Sequence, residues 1–203
     1  VMVPSRKPAG LGGGAGAFPA GSSAGVRRGG GWLGRVFNGL GEPVDESGPA
    51  GGGFILPRQL PAVPALKRAP VSAPLDVGVR AINGFLTLGR GQRVGLMAGS
   101  GVGKSVLLGM MARATEAEIV VVGLIGERGR EVNEFLTHTL GEQGRKKAIV
   151  IVAPADESPL MRLKATELCH SVAAFFRDQG LHVLLMIDSL TRYAMAQREI
   201  ALS

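Results

Sequence analysis

The sequence predicts an α/β fold in which a parallel β-sheet is covered by helices on both faces. Three features indicate this: continuous apolar runs, helical patterns between them, and polar side chains directly after the runs. Runs that are apolar at every position are typical of strands buried on both faces, and intervening helices supply the crossovers of a parallel sheet. With 203 residues, of which 45% are hydrophobic, the chain can bury the core of one full domain.

A Gly/Pro-rich region precedes the predicted core. Residues 1–31 hold 10 of the 32 glycines and show almost no apolar periodicity, so we expect little independent order there. The segment from Trp32 to Asp45 is predicted to form a short strand or helix followed by turns. Residues 46–75 are rich in Pro and Gly, which indicates a linker, and the core is expected to start at about Asp76.

Four strands and three helices are predicted in the core. The strands are expected at 92–98, 119–125, 148–152 and 182–187. One helix is expected at about 103–114 and another at 159–179. Between the second and third strands, a further helix is predicted from four apolar residues that share one face: Val132, Phe135, Leu136 and Leu140.

A glycine-rich loop follows the first predicted strand. It reads Ala98-Gly99-Ser100-Gly101-Val102-Gly103-Lys104-Ser105. Glycines allow backbone N–H groups to surround a polyphosphate, the lysine reaches the β- and γ-phosphates, and the serine hydroxyl can bind Mg²⁺. Ala98 stands where the strict pattern has glycine, but the tight turns fall at the three glycines that follow. The sequence therefore predicts a nucleotide-binding loop, with Ser105 as a metal ligand.

Two acidic residues follow other predicted strands, at the edge where parallel sheets bind ligands. Asp188 ends the last apolar run and is predicted to bind Mg²⁺ directly or through water, although capping of the next helix is an alternative role. Glu127 can orient the water that attacks a γ-phosphate. Its spacing is almost equally consistent with a solvated glutamate paired with Arg128 or Arg130.

Three segments together resemble the flagellar and type III secretion export ATPases, which belong to the larger group of rotary-ATPase catalytic subunits. They are residues 90–105, residues 124–132 (LIGERGREV) and residues 186–200 (MIDSLTRYAMAQREI). Residues 32–45 resemble the junction between that family's N-terminal β-barrel and its ATPase core. The resemblance extends over residues 32–203, and its combined motifs are highly specific.

The resemblance implies a RecA-like P-loop NTPase core, a homohexameric ring, and ATP hydrolysis that drives protein export through a proton-driven gate. It implies that Lys104 binds phosphate, that Ser105 and Asp188 bind Mg²⁺, and that Glu127 is the catalytic glutamate. The expected cofactors are ATP and Mg²⁺. The expected partners are further copies of the chain, the export apparatus with its regulatory subunits, and the exported proteins.

Departures from the family pattern set the expected domain limits. Residues 1–31 are too rich in glycine for the usual barrel strands, so we assign them as a low-complexity segment or degraded barrel remnant. Residues 32–75 are assigned as junction and linker, and residues 76–203 as a partial RecA-like core. On the resemblance, later strands, an adenine-stacking aromatic, an arginine finger and a helical domain are expected beyond Ser203. We therefore expect residues 1–203 alone to be weakly active or inactive.

Charge and hydropathy restrict the partners and the location. Residues 1–93 hold 11 Lys and Arg against 4 Asp and Glu, whereas residues 94–203 hold 12 of each. One Tyr and one Trp leave no aromatic series for stacking bases, so we expect a solvated basic surface and no nucleic-acid partner. No apolar run reaches membrane-spanning length and the start has no signal-peptide core. A cytoplasmic location is expected, with peripheral contact at the inner face of the cytoplasmic membrane as an alternative.

Other readings stay open at this point. A catalytic subunit of a proton-translocating ATP synthase would share the loop, Glu127 and Asp188, although residues 98–101 and 194–199 favour the export ATPases. A truncated chain that binds nucleotide without catalysis is a further alternative. Arg128 and Arg192 occupy positions that match motifs of the export ATPases. Each could contact the γ-phosphate or form an ion pair at the surface. The sequence does not distinguish an ATPase that serves a flagellum from one that serves an injectisome.

Overall fold

A computed structural model describes residues 25–28, 30–51, 54–57, 63–99 and 101–202. The strands within these segments are β1 (Gly25–Arg28), β2 (Val36–Asn38), β3 (Phe54–Pro57), β4 (Ile119–Ile125), β5 (Ala148–Ala153) and β6 (Val183–Asp188). The α-helices there are α1 (Arg80–Phe85), α2 (Lys104–Ala114), α3 (Gly129–Glu134), α4 (Gly141–Lys146), α5 (Pro159–Asp178) and α6 (Leu190–Leu202). A π-helix, Phe135–Leu140, joins α3 to α4, and 3₁₀ turns form at Gly30–Trp32 and Ala65–Lys67.

The predicted parallel sheet is confirmed. Four strands lie in the order β2-β5-β4-β6, and each neighbouring pair is parallel. Leu124 at the end of β4 lies opposite Val152 of β5 on one side and Asp188 of β6 on the other. The carboxyl ends of β4 and β6 therefore lie side by side at the C-terminal end of the sheet, which is where the candidate site forms.

Helices cover the sheet on both faces, as the continuous apolar strands predict. Every residue of β4 and β5 is buried. Val120 and Val122 face a cluster with α1, α2 and the π-helix, whereas Val121 and Ile125 face a cluster with α5. The four apolar residues predicted to share one helical face all pack in the first cluster: Val132, Phe135, Leu136 and Leu140. Cys169 is fully buried on α5, as expected for a small hydrophobe.

The segment 32–45 contributes an edge strand to this sheet. β2 pairs with β5. The ring of Phe37 in β2 stacks on the ring of Trp32, with centroids 3.6 Å apart. Arg35 donates two hydrogen bonds to Asp45, of 2.7 and 2.8 Å, and Asp45 also accepts the Val36 N–H at 3.0 Å. The guanidinium lowers the pKa of the Asp45 carboxyl to about 2. An ion pair therefore fixes the start of β2.

The prediction of a strand at 92–98 is wrong. Residues 92–99 have no regular structure and are exposed; Met97 is 96% exposed and Val94 53%. A strand is stable only when a neighbouring strand satisfies its backbone N–H and C=O groups. Among the described residues β6 pairs with β4 alone, and residues 92–98 have no ladder partner. The apolar pattern of residues 92–98 favours an extended strand, but no strand forms because these residues have no hydrogen-bonded neighbour in the described part of the sheet.

Short antiparallel pairing occurs in the Gly/Pro-rich region. β1 pairs with β3 over four residues, so residues 25–28 are more ordered than the sequence led us to expect. The rest of the low-complexity segment, residues 1–24, lies outside the described residues. No helix in the described part of the chain is long and apolar enough to cross a membrane.

Candidate nucleotide-binding site

The phosphate loop leads directly into the N-terminus of α2. Gly101 and Gly103 have φ angles of +77° and +90°, a region that favours glycine, and Gly103 is the N-cap of the helix. The first N–H groups of a helix have no intrahelical partner and attract anions, so this eleven-residue helix begins where a phosphate would bind. The described loop residues before Lys104 are all exposed: Ala98, Gly99, Gly101, Val102 and Gly103. Ser100, also predicted to bind nucleotide, lies outside the described residues.

Lys104 and Ser105 meet Asp188, as their sequence positions predict. Lys104 Nζ donates to Asp188 Oδ1 at 2.5 Å, and Ser105 Oγ donates to Asp188 Oδ2 at 3.4 Å. Asp188 is only 4% exposed, so its charge is held close to its partners and away from water. Since the two regions are 84 residues apart in sequence, the fold rather than local geometry brings them together.

The donor set around Asp188 fits Mg²⁺. This ion prefers oxygen ligands, and proteins hold it through one or two carboxylates while waters and substrate phosphates complete its shell. Asp188 supplies a carboxylate and Ser105 a hydroxyl within hydrogen-bond distance of it. The described residues contain no cluster of three or more His, Cys, Asp or Glu side chains suited to a metal. Asp188 and Ser105 would each supply one oxygen ligand to a bound Mg²⁺.

Glu127 lies two residues beyond the end of β4 and is half-buried. Its backbone carbonyl accepts the Ala155 N–H at 3.0 Å, which ties the turn to the loop after β5. Burial, together with a hydrogen bond to the Glu131 side chain and the charge of Asp188, raises the pKa of its carboxyl to about 7, and Lys104 opposes the shift. A carboxyl whose pKa lies near neutral pH is suited to accept a proton from water.

The turn before Glu127 is packed against α6. Gly126 has a φ of +73°, and a Cβ added there would lie 2.7 Å from Arg192 Cβ and 2.8 Å from Arg192 Cγ. The stem of Arg192 therefore lies on this turn. Arg128 instead pairs with Glu131 at 3.5 Å, and its side chain is 72% exposed. The structure thus favours the ion-pair reading for Arg128 and brings Arg192 beside the candidate site.

Sequence reasoning missed Glu131. Its carboxylate accepts the Arg128 N–H at 3.3 Å and caps the start of α3. The signal was weak, because the usual capping box pairs such a glutamate with a Ser or Thr three residues earlier, and this chain has Arg128 there.

Known proteins show similarity over most of the chain. Residues 78–203 match the family model of the ATP synthase alpha/beta family, nucleotide-binding domain. The chain is 54% identical over 202 residues to a flagellum-specific ATP synthase of Pseudomonas aeruginosa, covering 100% of this chain and 45% of that protein. It is 48% identical over 171 residues to a type 3 secretion system ATPase of Xanthomonas euvesicatoria, covering 84% and 39%. The chain spans less than half the length of these curated relatives.

Solved structures give the same result. A prototypical ATPase from the type III secretion system of pathogenic bacteria superposes with a TM-score of 0.84 at 44% identity, covering 88% of this chain and 52% of that one. The assembled ATPase EscN, in complex with its central stalk EscO, from enteropathogenic E. coli superposes with a TM-score of 0.83 at 45% identity, covering 88% and 44%.

Proposed function

Because the chain belongs to the ATP synthase alpha/beta family, we propose that it binds ATP with Mg²⁺ and hydrolyses it to drive protein export. The observation that carries this proposal is the convergence of Lys104, Ser105, Asp188 and Glu127 at one sheet edge, beside the N-terminus of α2. A phosphate loop alone supports only binding. A half-buried carboxyl with a raised pKa beside it supports hydrolysis.

Each residue has a distinct role in the proposed reaction. The N–H groups at the start of α2 and the Lys104 ammonium bind the β- and γ-phosphates. Ser105 and Asp188 would hold Mg²⁺, which would neutralise phosphate charge when bound. Glu127 orients a water whose oxygen bonds to the γ-phosphorus while the bond from that phosphorus to the β-phosphate oxygen breaks. ADP leaves, and the proton of the water passes to the Glu127 carboxylate.

The assembly and location are also part of the proposal. We propose that copies of the chain assemble into a homohexameric ring with a stalk-like regulatory partner, at the cytoplasmic side of an export apparatus that passes exported proteins. Support comes from the solved relative EscN, which is described as assembled and in complex with a central stalk. Flagellar and type III secretion relatives occur at similar identity, so both kinds of apparatus fit.

A single-turnover assay tests the proposal. With a full-length version of the protein in excess over radiolabelled ATP and Mg²⁺, Glu127→Gln should lower the hydrolysis rate by roughly 10²–10⁴-fold, because the amide keeps the shape but cannot take the proton. Binding of ATP should be retained. Glu134→Gln, an exposed glutamate of α3, is the matched control and should hydrolyse ATP at the parental rate. Hydrolysis by Glu127→Gln at the parental rate would overturn the catalytic assignment.

A further inference from the structure

We propose that Gly109 and Thr139 are positioning residues whose close contact sets the distance between the phosphate loop and Glu127. The inference rests on the proposed function, in which the loop holds the γ-phosphate and Glu127 orients the attacking water. Neither Gly109 nor Thr139 touches nucleotide, metal or water in that function. They lie where the helix that starts at the loop packs against the helical segment that follows Glu127.

Two helical segments begin beside the candidate site. α2 begins at Lys104, directly after the phosphate loop. The other segment begins at Gly129, two residues after Glu127, and consists of α3, the π-helix and α4 in direct succession. α2 packs against the π-helix and α4 of this segment. The way in which α2 sits on the segment therefore affects how far the loop lies from the turn that carries Glu127.

The contact between the two segments leaves no room for a side chain at Gly109. Gly109 is buried, and a Cβ added there would overlap Thr139 Cγ2 and lie 3.0 Å from the Thr139 carbonyl oxygen. In a close-packed interior such an overlap is relieved only by moving one of the helices. Arg113, one turn further along α2, donates a hydrogen bond from Nη1 to the same carbonyl oxygen. Close packing and a hydrogen bond thus both hold α2 at Thr139.

A second glycine lies on the same interface. Gly144 of α4 is buried, and a Cβ added there would lie 3.0 Å from Arg113 Cγ and 2.8 Å from Leu140 Cδ1. Both neighbours are side-chain atoms, which can rotate away, whereas the Thr139 carbonyl belongs to the backbone. A methyl group at this second position would therefore displace α2 less than one at the first.

The residues of the candidate site are divided between the two segments. Lys104, Ser105 and the first N–H groups of α2 belong to one rigid helix and move together, whereas Glu127 precedes the other segment. A displaced α2 would keep its own contacts with phosphate but would change their distance from Glu127. A misplacement of about 1 Å can slow a chemical step by about 100-fold. The interface should therefore govern the rate of hydrolysis more than the binding of ATP.

Single-turnover hydrolysis by a full-length version of the protein tests this. Gly109→Ala should lower the maximal rate by about tenfold to a hundredfold, while the affinity for ATP measured without Mg²⁺ stays within about twofold. Gly144→Ala should lower the maximal rate by about threefold. Gly84→Ala is the matched control, because Gly84 is an exposed glycine of α1 and an added Cβ would have nothing within 4 Å. It should change neither quantity.

The partner residue supplies a rescue. Thr139→Ala removes the Cγ2 atom that the Gly109→Ala methyl group would overlap, so the double variant should recover most of the lost rate. Partial unfolding gives a different result. With protein in excess, an unfolded fraction raises the half-saturating protein concentration and leaves the maximal rate unchanged, because every ATP is still bound by folded protein at saturation.

Two outcomes for Gly109→Ala would overturn the inference: a parental maximal rate, or a loss of rate that Thr139→Ala does not reverse. A change in half-saturation alone would do the same, because it indicates lost stability rather than lost positioning. If Gly109→Ala does not fold, Gly144→Ala takes its place. A parental maximal rate in that variant would then overturn the inference.

The two proposals fail in different ways. If Glu127→Gln hydrolyses ATP normally, the proposed function is wrong at its catalytic residue. If Glu127→Gln is inactive while Gly109→Ala is normal, only the positioning role of Gly109 and Thr139 is wrong.

Discussion

At the scale of single residues, one ion pair lies at the centre of the candidate site. Lys104 Nζ lies 2.5 Å from Asp188 Oδ1, so the lysine that is proposed to bind phosphate is held by the aspartate that is proposed to bind metal. Under the proposed function, binding of a nucleotide would draw Lys104 towards the phosphates. Asp188 would then lose its cation, and Mg²⁺ would replace Lys104 as the positive charge.

This exchange predicts a specific effect of Asp188→Asn. Without Mg²⁺, ATP should bind the variant at least as tightly as the parent, because Lys104 is no longer held. With Mg²⁺, affinity should fall by about tenfold, which corresponds to one charge-assisted contact with the ion. Calorimetric titration with and without Mg²⁺ measures both. Asp178→Asn, an exposed aspartate at the end of α5, serves as control. Equal losses in both conditions would favour a helix-capping role for Asp188.

The sequence predicted the positions of some site residues but not of others. Lys104, Ser105 and Asp188 were predictable, because a glycine-rich loop and the end of an apolar run each occur at the binding edge of a parallel sheet. The roles remain predictions that the proposed assays test. The capping role of Glu131 at the start of α3 was not predictable, since the capping pattern has Arg128 where a Ser or Thr is usual.

At the scale of elements, β2 shows how a short strand is fixed by a polar contact. Asp45 is bonded by Arg35 and by the Val36 N–H, and its side chain is 5% exposed. The folded-state pKa of about 2 lies below the ordinary value of 3.8, so Asp45 stabilises the fold above pH 3.8 and loses this contribution as the pH falls towards 2.

The prediction is a pH-dependent stability difference. Asp45→Asn should lower the free energy of unfolding near pH 6 by on the order of 2 kcal/mol, because a buried acceptor and its charge are replaced. The difference between parent and variant should shrink as the pH falls from 4 towards 2. Chemical denaturation monitored by circular dichroism at several pH values checks this. A difference that is constant from pH 6 to pH 2 would show that the Asp45 charge is not its source.

Elements whose formation depends on local pattern were predicted well, and those that depend on pairing were not. The apolar runs at β4, β5 and β6 match the observed strands closely, because β4 and β5 are buried on both faces and β6 is partly buried. Residues 92–98 carry a similar pattern but have no ladder partner among the described residues. β2 has only three residues, too few for a pattern, and its place beside β5 comes from tertiary contacts.

At the scale of the whole molecule, the two faces of the sheet have different roles. The cluster with α5 is closed by Trp32, Phe37 and the long helix, which makes it a structural face. The opposite face carries α2, whose N-terminus faces the candidate site. Under the proposed function, a phosphate at that site would contact the start of α2 close to the ends of β4 and β6. Ligand binding should accordingly stabilise the whole fold.

Calorimetric titration of the chain with Mg²⁺ and ATP, comparing the parent with Lys104→Ala, tests the central claim most directly. Lys164→Ala is the control, because the Lys104 and Lys164 side chains are both 28% exposed and both are ion-paired. We expect the parent and Lys164→Ala to bind with equal affinity, and Lys104→Ala to bind about 100-fold more weakly while retaining the parental circular dichroism spectrum. Equal affinity in all three proteins would contradict the assignment of this loop as the phosphate-binding site.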